Sequence, residues 1–359
     1  MDILNYLQGM AVQHGPSGHE AEVSGWLKAR FEALCDSVTI DPLYNVIALK
    51  KATAPTKDGS PAPRVMLAAH QDEIALMVAD ILPDGSLRMG QVGGVDPRIL
   101  PASTVTVHAT GAGNGTGKLL GVVGSTPPHL LSTVDREHNY KREDLFVDLG
   151  LPVDKVRAQV RIGDLITLHG PATPLLNDRC AAKTMDDRAC VACLLEAAER
   201  LQKMSHICDI YFVATSQEEV GSKGASVAAH AIDPDLAVAL DVTHATIPQS
   251  RPDTTVPLDA PAATYGPFVQ YKLLERLKKA AKDHGIKLNT EHAERFTYTD
   301  LDNIQIAREG VPCVLIDLPL KYMHTTVELL DMNVIRECGR LLAHFLGDLD
   351  EGWNEALWS

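Results

Sequence analysis

No apolar run in the 359-residue sequence approaches the roughly 18 residues that crossing a bilayer requires. The opening stretch Met1-Asp2-Ile3-Leu4-Asn5-Tyr6-Leu7 lacks the basic segment of a secretory leader. A soluble, cytoplasmic protein with no membrane partner is therefore expected. Positive charge is also scarce: 33 Lys and Arg stand against 47 Asp and Glu, a formal net charge of -14. Such a chain repels phosphate backbones and anionic lipid, which argues against nucleic acid as a partner. The seven cysteines are odd in number and spread along a long chain, so they form no disulfide framework and suit a reducing compartment. Cys190-x-x-Cys193 has the spacing of a redox pair, but it lies in an apolar helical pattern with Val191, Leu194, Leu195 and Ala198. Two small buried residues are the better reading.

Two hydrolase signatures are missing as well, the one-helix zinc motif H-E-x-x-H and the nucleophile elbow G-x-S-x-G. A hydrolase built on this chain must gather its site from separate segments. Nor does the run from Gly111 to Lys118 make a phosphate loop. Ala112 falls where the first glycine is needed, and Leu119 falls where Ser or Thr would bind magnesium. A hairpin turn is expected there instead.

What is present is ordinary globular usage, 45% hydrophobic and 22% charged, which excludes disorder, a collagen-like repeat and a coiled coil. Apolar periodicity predicts helices over 3–11 and 20–34, separated by the breaker His14-Gly15-Pro16-Ser17-Gly18, then strands over 38–40 and 46–49. A polar loop over 51–63 leads into Val65-Met66-Leu67-Ala68-Ala69, a buried strand that ends at His70. Between about 74 and 166 short apolar runs are cut by Gly, Pro, Asn and Asp, which predicts a β-rich insert. Helix and strand then alternate: helix 187–202, strand 207–214, helix 221–231, strand 236–240, helix 267–284, short helix 303–308, strand 313–316 and helix 331–346. That alternation implies an α/β sheet covered on both faces and interrupted by the β-rich part.

The unusual polar residues fall past the carboxyl ends of the expected strands. His70-Gln71-Asp72-Glu73 follows strand 65–69, Glu218-Glu219 follows 207–214, Asp241 follows 236–240, and His324 lies beyond 313–316. Open α/β sheets bind ligands at those ends, so the groups can converge, joined by Asp186-Asp187 at the start of a helix. Singly each has a bland explanation. Asp186-Asp187 suits a helix cap, Glu218-Glu219 a solvated loop pair, and His324-x-x-x-Glu328 a surface or capping feature. Asp241 is harder to dismiss, because a carboxylate ending a fully apolar strand must be paired, hydrogen-bonded or metal-bound. Together, two histidines and several carboxylates suit zinc or a related divalent ion, in numbers exceeding one tetrahedral site. Two metals are the expectation, with one of Glu218 and Glu219 as ligand, the other as base, and Asp72 accepting a hydrogen bond from His70.

At these residues the sequence resembles the M42 family of dinuclear metallo-aminopeptidases. The similarity rests on Ala69-His70-Gln71-Asp72-Glu73-Ile74, Gly121-Val122-Val123-Gly124-Ser125-Thr126-Pro127-Pro128-His129-Leu130, Met185-Asp186-Asp187-Arg188-Ala189, the segment from Ser216 to Ala225, Leu240-Asp241-Val242-Thr243-His244-Ala245 and Tyr322-Met323-His324-Thr325, in order along nearly the whole chain. The resemblance implies a phosphorylase/hydrolase-like α/β/α peptidase domain, residues 1–73 and 167–359, interrupted by a PDZ-like β domain, residues 74–166, that helps assembly. It implies removal of N-terminal residues from peptide substrates, and self-association into a homo-dodecamer built from dimers. Carried over, Asp186 bridges two divalent ions, zinc or alternatively cobalt. His70 and Asp241 complete one site, Glu219 and His324 the other. Glu218 is the general base, Asp72 the partner of His70, and the Asp186-Asp187 peptide is cis. Ala75, Cys190 and Lys321 depart from the family's usual glycine, glycine and arginine, while no ligand or base position departs.

Three other readings compete. An amidohydrolase of acylated amino acids would use the same metal constellation without needing a free substrate amine. A glycosidase would need two carboxyl groups flanking a sugar and leaves the histidines unexplained. A catalytically silent metal-binding assembly protein has no need of a base such as Glu218 or of Asp72. His206, His230, His244, His284 and His292 are left unassigned, and most of them are expected to be surface or packing residues.

Overall fold

Residues 1–56, 59–111, 117–133 and 137–358 are described by a computed structural model of the chain. Helix α1 (Ile3–Ala11) buries Ile3, Tyr6, Leu7 and Met10, the i, i+3, i+4, i+7 stripe of one helical face, and Asp2 caps it by accepting the Asn5 amide at 3.1 Å. Helix α2 (Ala21–Phe31) is shorter at both ends than its apolar pattern suggests. Strands β1 (Ser37–Ile40), β2 (Val46–Lys50) and β3 (Arg64–His70) follow.

The next segment leaves the sheet. Strands β4 (Ala75–Ile81), β5 (Leu87–Val92), β6 (Thr104–His108), β7 (Lys118–Ser125), β8 (Leu145–Asp148) and, after helix α3 (Val153–Gln159), β9 (Leu165–Leu168) close into a barrel of order β4-β5-β8-β7-β6-β9. Leu76, Val78, Leu87, Val105, Val107 and Ile166 fill it. Closure removes sheet edges, which is how so small an all-β unit avoids open pairing sites. Helix α3 is not apparent from the turn-rich texture, because its buried contribution is the single residue Val156. β6 and β7 pair antiparallel from Thr104↔Val122 to His108↔Lys118; of the glycine-rich run between them, residues 112–116 lie outside the described residues.

The chain then returns through β10 (Thr173–Pro174), β11 (Arg179–Ala182), α4 (Met185–Leu201), β12 (Asp209–Thr215), α5 (Lys223–Ile232), β13 (Leu236–His244), β14 (Ala262–Tyr265), α6 (Tyr271–Asp283), β15 (Asn289–His292), α7 (Leu301–Ile304), β16 (Cys313–Leu320), β17 (Glu328–Asp331), α8 (Met332–Gly347) and α9 (Trp353–Trp358). Eight strands form the main sheet in the order β1-β2-β12-β3-β13-β16-β14-β15, with β12, β3, β13 and β16 mutually parallel at its centre. Along β3, Val65, Leu67 and Ala69 pack toward α1, α2, α4, α6 and α8, while Met66 and Ala68 pack toward α5 and α7. Both faces are covered, so the strand reads as an unbroken apolar run.

Several boundaries differ from the sequence reading for one reason. β13 and β16 run on to His244 and Leu320, so Asp241 lies within its strand rather than after it. The polar residues that seemed to end these strands still pair, because ladder hydrogen bonds use the backbone and are indifferent to side-chain polarity. The short helix expected over 303–308 is instead Leu301–Ile304. Strands β5, β8, β10, β11, β14, β15 and β17 are additional to those expected. No helix among the described residues is long and apolar enough to cross a membrane.

Candidate metal centre

Strand alternation decides which side chains meet. On β13 the residues Leu236, Val238, Leu240 and Val242 face one core, so Asp241 points to the opposite face with Ala237 and Ala239. The same count places His70 of β3 on that face, at the carboxyl end of its strand. Glu218 and Glu219 sit in the turn between β12 and α5, which is bounded by left-handed residues Gln217 and Ser222. Asp186 and Asp187 open α4 with non-helical backbone, and the peptide between them is cis, as the resemblance implies. His324 lies between β16 and β17.

The side chains converge around Asp186. One of its oxygens, Oδ1, lies 3.0 Å from His70 Nε2; the other, Oδ2, lies 3.1 Å from His324 Nε2. Glu219 Oε1 is also 3.1 Å from His324 Nε2, and Glu218 Oε2 approaches His70 Nε2 at 3.9 Å. Asp72 is fully buried behind His70, with Oδ1 3.4 Å from Nδ1. It also accepts the amides of Glu218 at 3.0 Å and Glu219 at 3.2 Å and the hydroxyl of Ser17 at 2.6 Å. One carboxylate therefore faces the imidazole while hydrogen-bonding the turn that carries both glutamates. His70, Asp186, Glu218, Glu219, Asp241 and His324 line one wall of a cavity of about 570 Å³.

Electrostatics within the cluster are strongly perturbed. Burial raises Glu218 to about 8, and neighbouring Asp300, Asp72 and Glu219 reinforce it against the opposing His70. Burial likewise raises Glu219 and Asp241. Burial would lower His324, yet the hydrogen bonds to Asp186 and Glu219 prevail and push it up to about 11. So much buried negative charge, gathered on two imidazoles, calls for cations.

Whether the donors fit a metal can be judged from their positions. One ligand atom each of His70, Asp186 and Glu219 lies within 4.8 Å of the others, and so do those of His70, Asp187 and Asp241. Asp187 Oδ1 is buried without a hydrogen-bond partner. Imidazole nitrogens among carboxylate oxygens are the donor set of zinc and its borderline neighbours, so the residues fit divalent ions.

The structure adds Gly94, Asp317 and Glu291, which the sequence reading did not single out, and gives Glu328 and Asp187 places other than the surface or capping roles expected of them. Glu328 is buried and accepts the amides of Asp186 at 3.2 Å and His324 at 2.8 Å. Gly94, from the barrel, accepts from His324 Nδ1 at 2.9 Å. Asp187 joins His70 and Asp241, and Asp317 and Glu291 line the cavity further along the sheet. Asp317 was open to discovery by the rule that singled out Asp241, a carboxylate inside an apolar strand. Of the unassigned histidines, His244 lines the cavity, His206 is buried against the Cys208 carbonyl, His284 pairs with Asp348 and His292 stacks on Tyr265. Cys190 and Cys193 are free and buried.

An open α/β sheet with this donor set at the carboxyl ends of its parallel strands has the makings of a metal-dependent hydrolase. Residues 51–341 match the family described as M42 glutamyl aminopeptidase. The chain is 37% identical to a lysyl aminopeptidase of Pyrococcus furiosus, with 88% of each covered. It superposes with a TM-score of 0.90 on a TET aminopeptidase from the archaeon Thaumarchaeota archaeon SCGC AB-539-E09, at 29% identity and 99% coverage of both. It also resembles the Pyrococcus horikoshii TET1 peptidase, at a TM-score of 0.81 and 25% identity, with 97% of this chain and 100% of that one covered. That peptidase can assemble into a tetrahedron or a large octahedral shell. The chain belongs to the M42 family of peptidases, metal-dependent hydrolases of the aminopeptidase class.

Proposed function

We propose that this protein is a dinuclear metal-dependent aminopeptidase that removes N-terminal residues from peptides with the help of a glutamate base. The observation that carries the reading is the position of Asp186, whose two oxygens face two different imidazoles at 3.0 and 3.1 Å. In this reading five residues would hold two ions, His70 and Asp241 one of them, Glu219 and His324 the other, with Asp186 as a ligand common to both. Bound divalent ions, zinc or alternatively cobalt, would supply Lewis-acid polarisation of water and of the scissile carbonyl.

The protein's own residues supply the rest. Glu218 approaches His70 without a hydrogen bond to it and, among the described residues, its carboxylate accepts from the Ser222 hydroxyl alone, at 3.2 Å, leaving an oxygen to take a proton from the attacking water and return it to the leaving amine. Asp72 fixes the orientation of His70 and, through two backbone amides, holds the Glu218-Glu219 turn against it.

The test is hydrolysis of peptides with free and with acetylated N-termini, before chelation, after it, and after zinc or cobalt is restored. Metal-restored cleavage confined to free N-termini is expected. Cleavage of acylated peptides alone would replace this reading with an amidohydrolase, and no cleavage of either would remove it.

We further propose a homo-oligomer, a dodecamer built from dimers, in the cytoplasm, with the residue 74–166 insert as a PDZ-like assembly unit. Exposed Leu120 and Val122 on β7 and exposed Leu130 support an apolar contact surface there. Sedimentation velocity distinguishes a twelvefold mass from a monomer of 38.8 kDa.

A further inference from the structure

Beyond the metal cluster the same cavity runs on to two acids that the proposed chemistry leaves unused. Asp317 on β16 stands directly opposite Asp241 on β13 in parallel register, on the same face of the sheet. Adjacent strands are about 4.8 Å apart, so Asp317 begins one strand beyond the ligands. It is 3% exposed; Oδ2 accepts the Thr264 hydroxyl, and Oδ1 has no hydrogen-bond partner among the described residues. Thr264 in turn pairs in register with Glu291 on β15. The Glu291 side chain reaches back over the sheet, where Oε1 accepts from Thr243 Oγ1 at 2.6 Å and Oε2 is buried without a partner.

Neither acid forms an ion pair with a lysine or arginine among the described residues. Burial raises both, and repulsion from Glu291 raises Asp317 further; the Thr264 hydroxyl opposes this at Asp317, and the Thr243 hydroxyl, then the imidazoles of His244 and His292, oppose it at Glu291. Asp302, also in the wall, is different: its oxygens already accept the amides of Thr297 and Tyr298. Two carboxylates with spare acceptor sites, Asp317 buried and Glu291 half-buried, facing one cavity and lacking a lysine or arginine partner among the described residues, form half of an ion pair.

We infer that Asp317 and Glu291 receive the cationic side chain, lysine or arginine, of the substrate's N-terminal residue. The inference rests on the aminopeptidase reading of the metal cluster, which sets the substrate's N-terminal residue in the cavity that Asp241, Asp317 and Glu291 line together. An ammonium or guanidinium presents several donors to the unfilled oxygens. A leucine side chain would leave both acids without a counter-charge, and a glutamate would add a third negative charge.

The experiment compares kcat/KM of the metal-loaded protein on Lys-, Arg-, Leu- and Glu-p-nitroanilide. Lysine or arginine is expected to exceed leucine at least about tenfold, the equivalent of one charge-assisted hydrogen bond, and to exceed glutamate by more. Asp317→Asn keeps the Thr264 hydroxyl bond and should collapse the Lys/Leu ratio toward one; Glu291→Gln should lower it in the same direction. A merely structural role would reduce all substrates alike and leave the ratio unchanged, overturning the assignment. So would a wild-type preference for leucine or glutamate, in which case the aminopeptidase reading stands. Failure to cleave any free-amine substrate would remove that reading instead. A binding measurement needs no turnover: 1,5-diaminopentane should raise the unfolding temperature of the wild type but not of the double variant. No rise in the wild type, or an equal rise in both, would overturn the proposal.

Discussion

His324 and Gly94 belong to different parts of the fold and meet through one hydrogen bond, Nδ1 to the Gly94 carbonyl at 2.9 Å. A carbonyl can only accept, so Nδ1 carries a hydrogen, and Nε2 is left facing Asp186 and Glu219, where a bound divalent ion would take its lone pair. The barrel thus fixes which nitrogen of a proposed ligand, carried between two strands outside the barrel, faces the cluster. A Cβ on residue 94 would stand 2.9 Å from Nδ1 and 3.0 Å from Cε1 of that ring. Gly94→Ala is expected to displace His324 and lower metal affinity or kcat/KM by roughly 10–100-fold. Metal titration by calorimetry and steady-state kinetics check it; an unchanged affinity and rate would show that the ring is positioned by other contacts.

Glu218 and Asp72 are expected to fail in different ways. Glu218→Gln should reduce turnover by about 10²–10⁴-fold while the metal content stays at the wild-type value. Asp72→Asn should weaken metal binding by roughly 10–100-fold, because it loosens His70 and the glutamate turn together. Metal analysis of the purified variants separates the two. Simultaneous loss of metal and activity in Glu218→Gln would mean that base and ligand are interchanged.

Beneath the site, Glu73 is buried between two cations: it pairs with Lys183 and lies 3.4 Å from Arg188, while accepting the Gly15 amide at 3.0 Å. Burial works against its charge, but the two cations and the amide hold its carboxyl below the usual range. Glu73→Gln leaves two buried positive charges uncompensated and is expected to cost roughly 3–5 kcal/mol of stability. Denaturant unfolding measures it, and a loss below 1 kcal/mol would count against the triad as a structural element.

The junction between barrel and sheet should respond to acid. His14 Nδ1 and His108 Nε2 both contact the Thr167 hydroxyl, at 2.8 and 2.9 Å, and their rings meet edge-on. Burial, with the positive charges of Lys183, His108 and Lys118, lowers His14 to about 4 from 6.5. The folded protein therefore keeps this ring neutral where the unfolded chain protonates it. Its contribution to stability is whole above pH 6.5, declines as pH falls, and is gone below about 4. His14→Gln should flatten the unfolding temperature across that window relative to wild type; parallel profiles would show that this group does not couple folding to protonation.

Much of the fold was legible because both helical stripes and buried strands write themselves in local pattern. The stripe of α1 and the run Val65-Met66-Leu67-Ala68-Ala69 announce their elements and their burial. Helix α3, with one buried residue, and strands such as β15, exposed at alternate positions, carry too little apolar periodicity to be seen.

The sequence by itself determined the chemistry available: His70, Asp72, Glu218, Glu219, Asp241 and His324 stand out as polar residues past the expected ends of apolar strands, and Asp186 as one at the start of a helix. Only the tertiary structure decided how they face one another. Parallel pairing aligned His70 and Asp241 on one face, and placed Asp317 beside Asp241. The barrel brought Gly94 to His324 across 230 positions of chain. Such contacts depend on register and domain docking, which are set by packing summed over whole faces and leave no mark in the residues on either side of the contact.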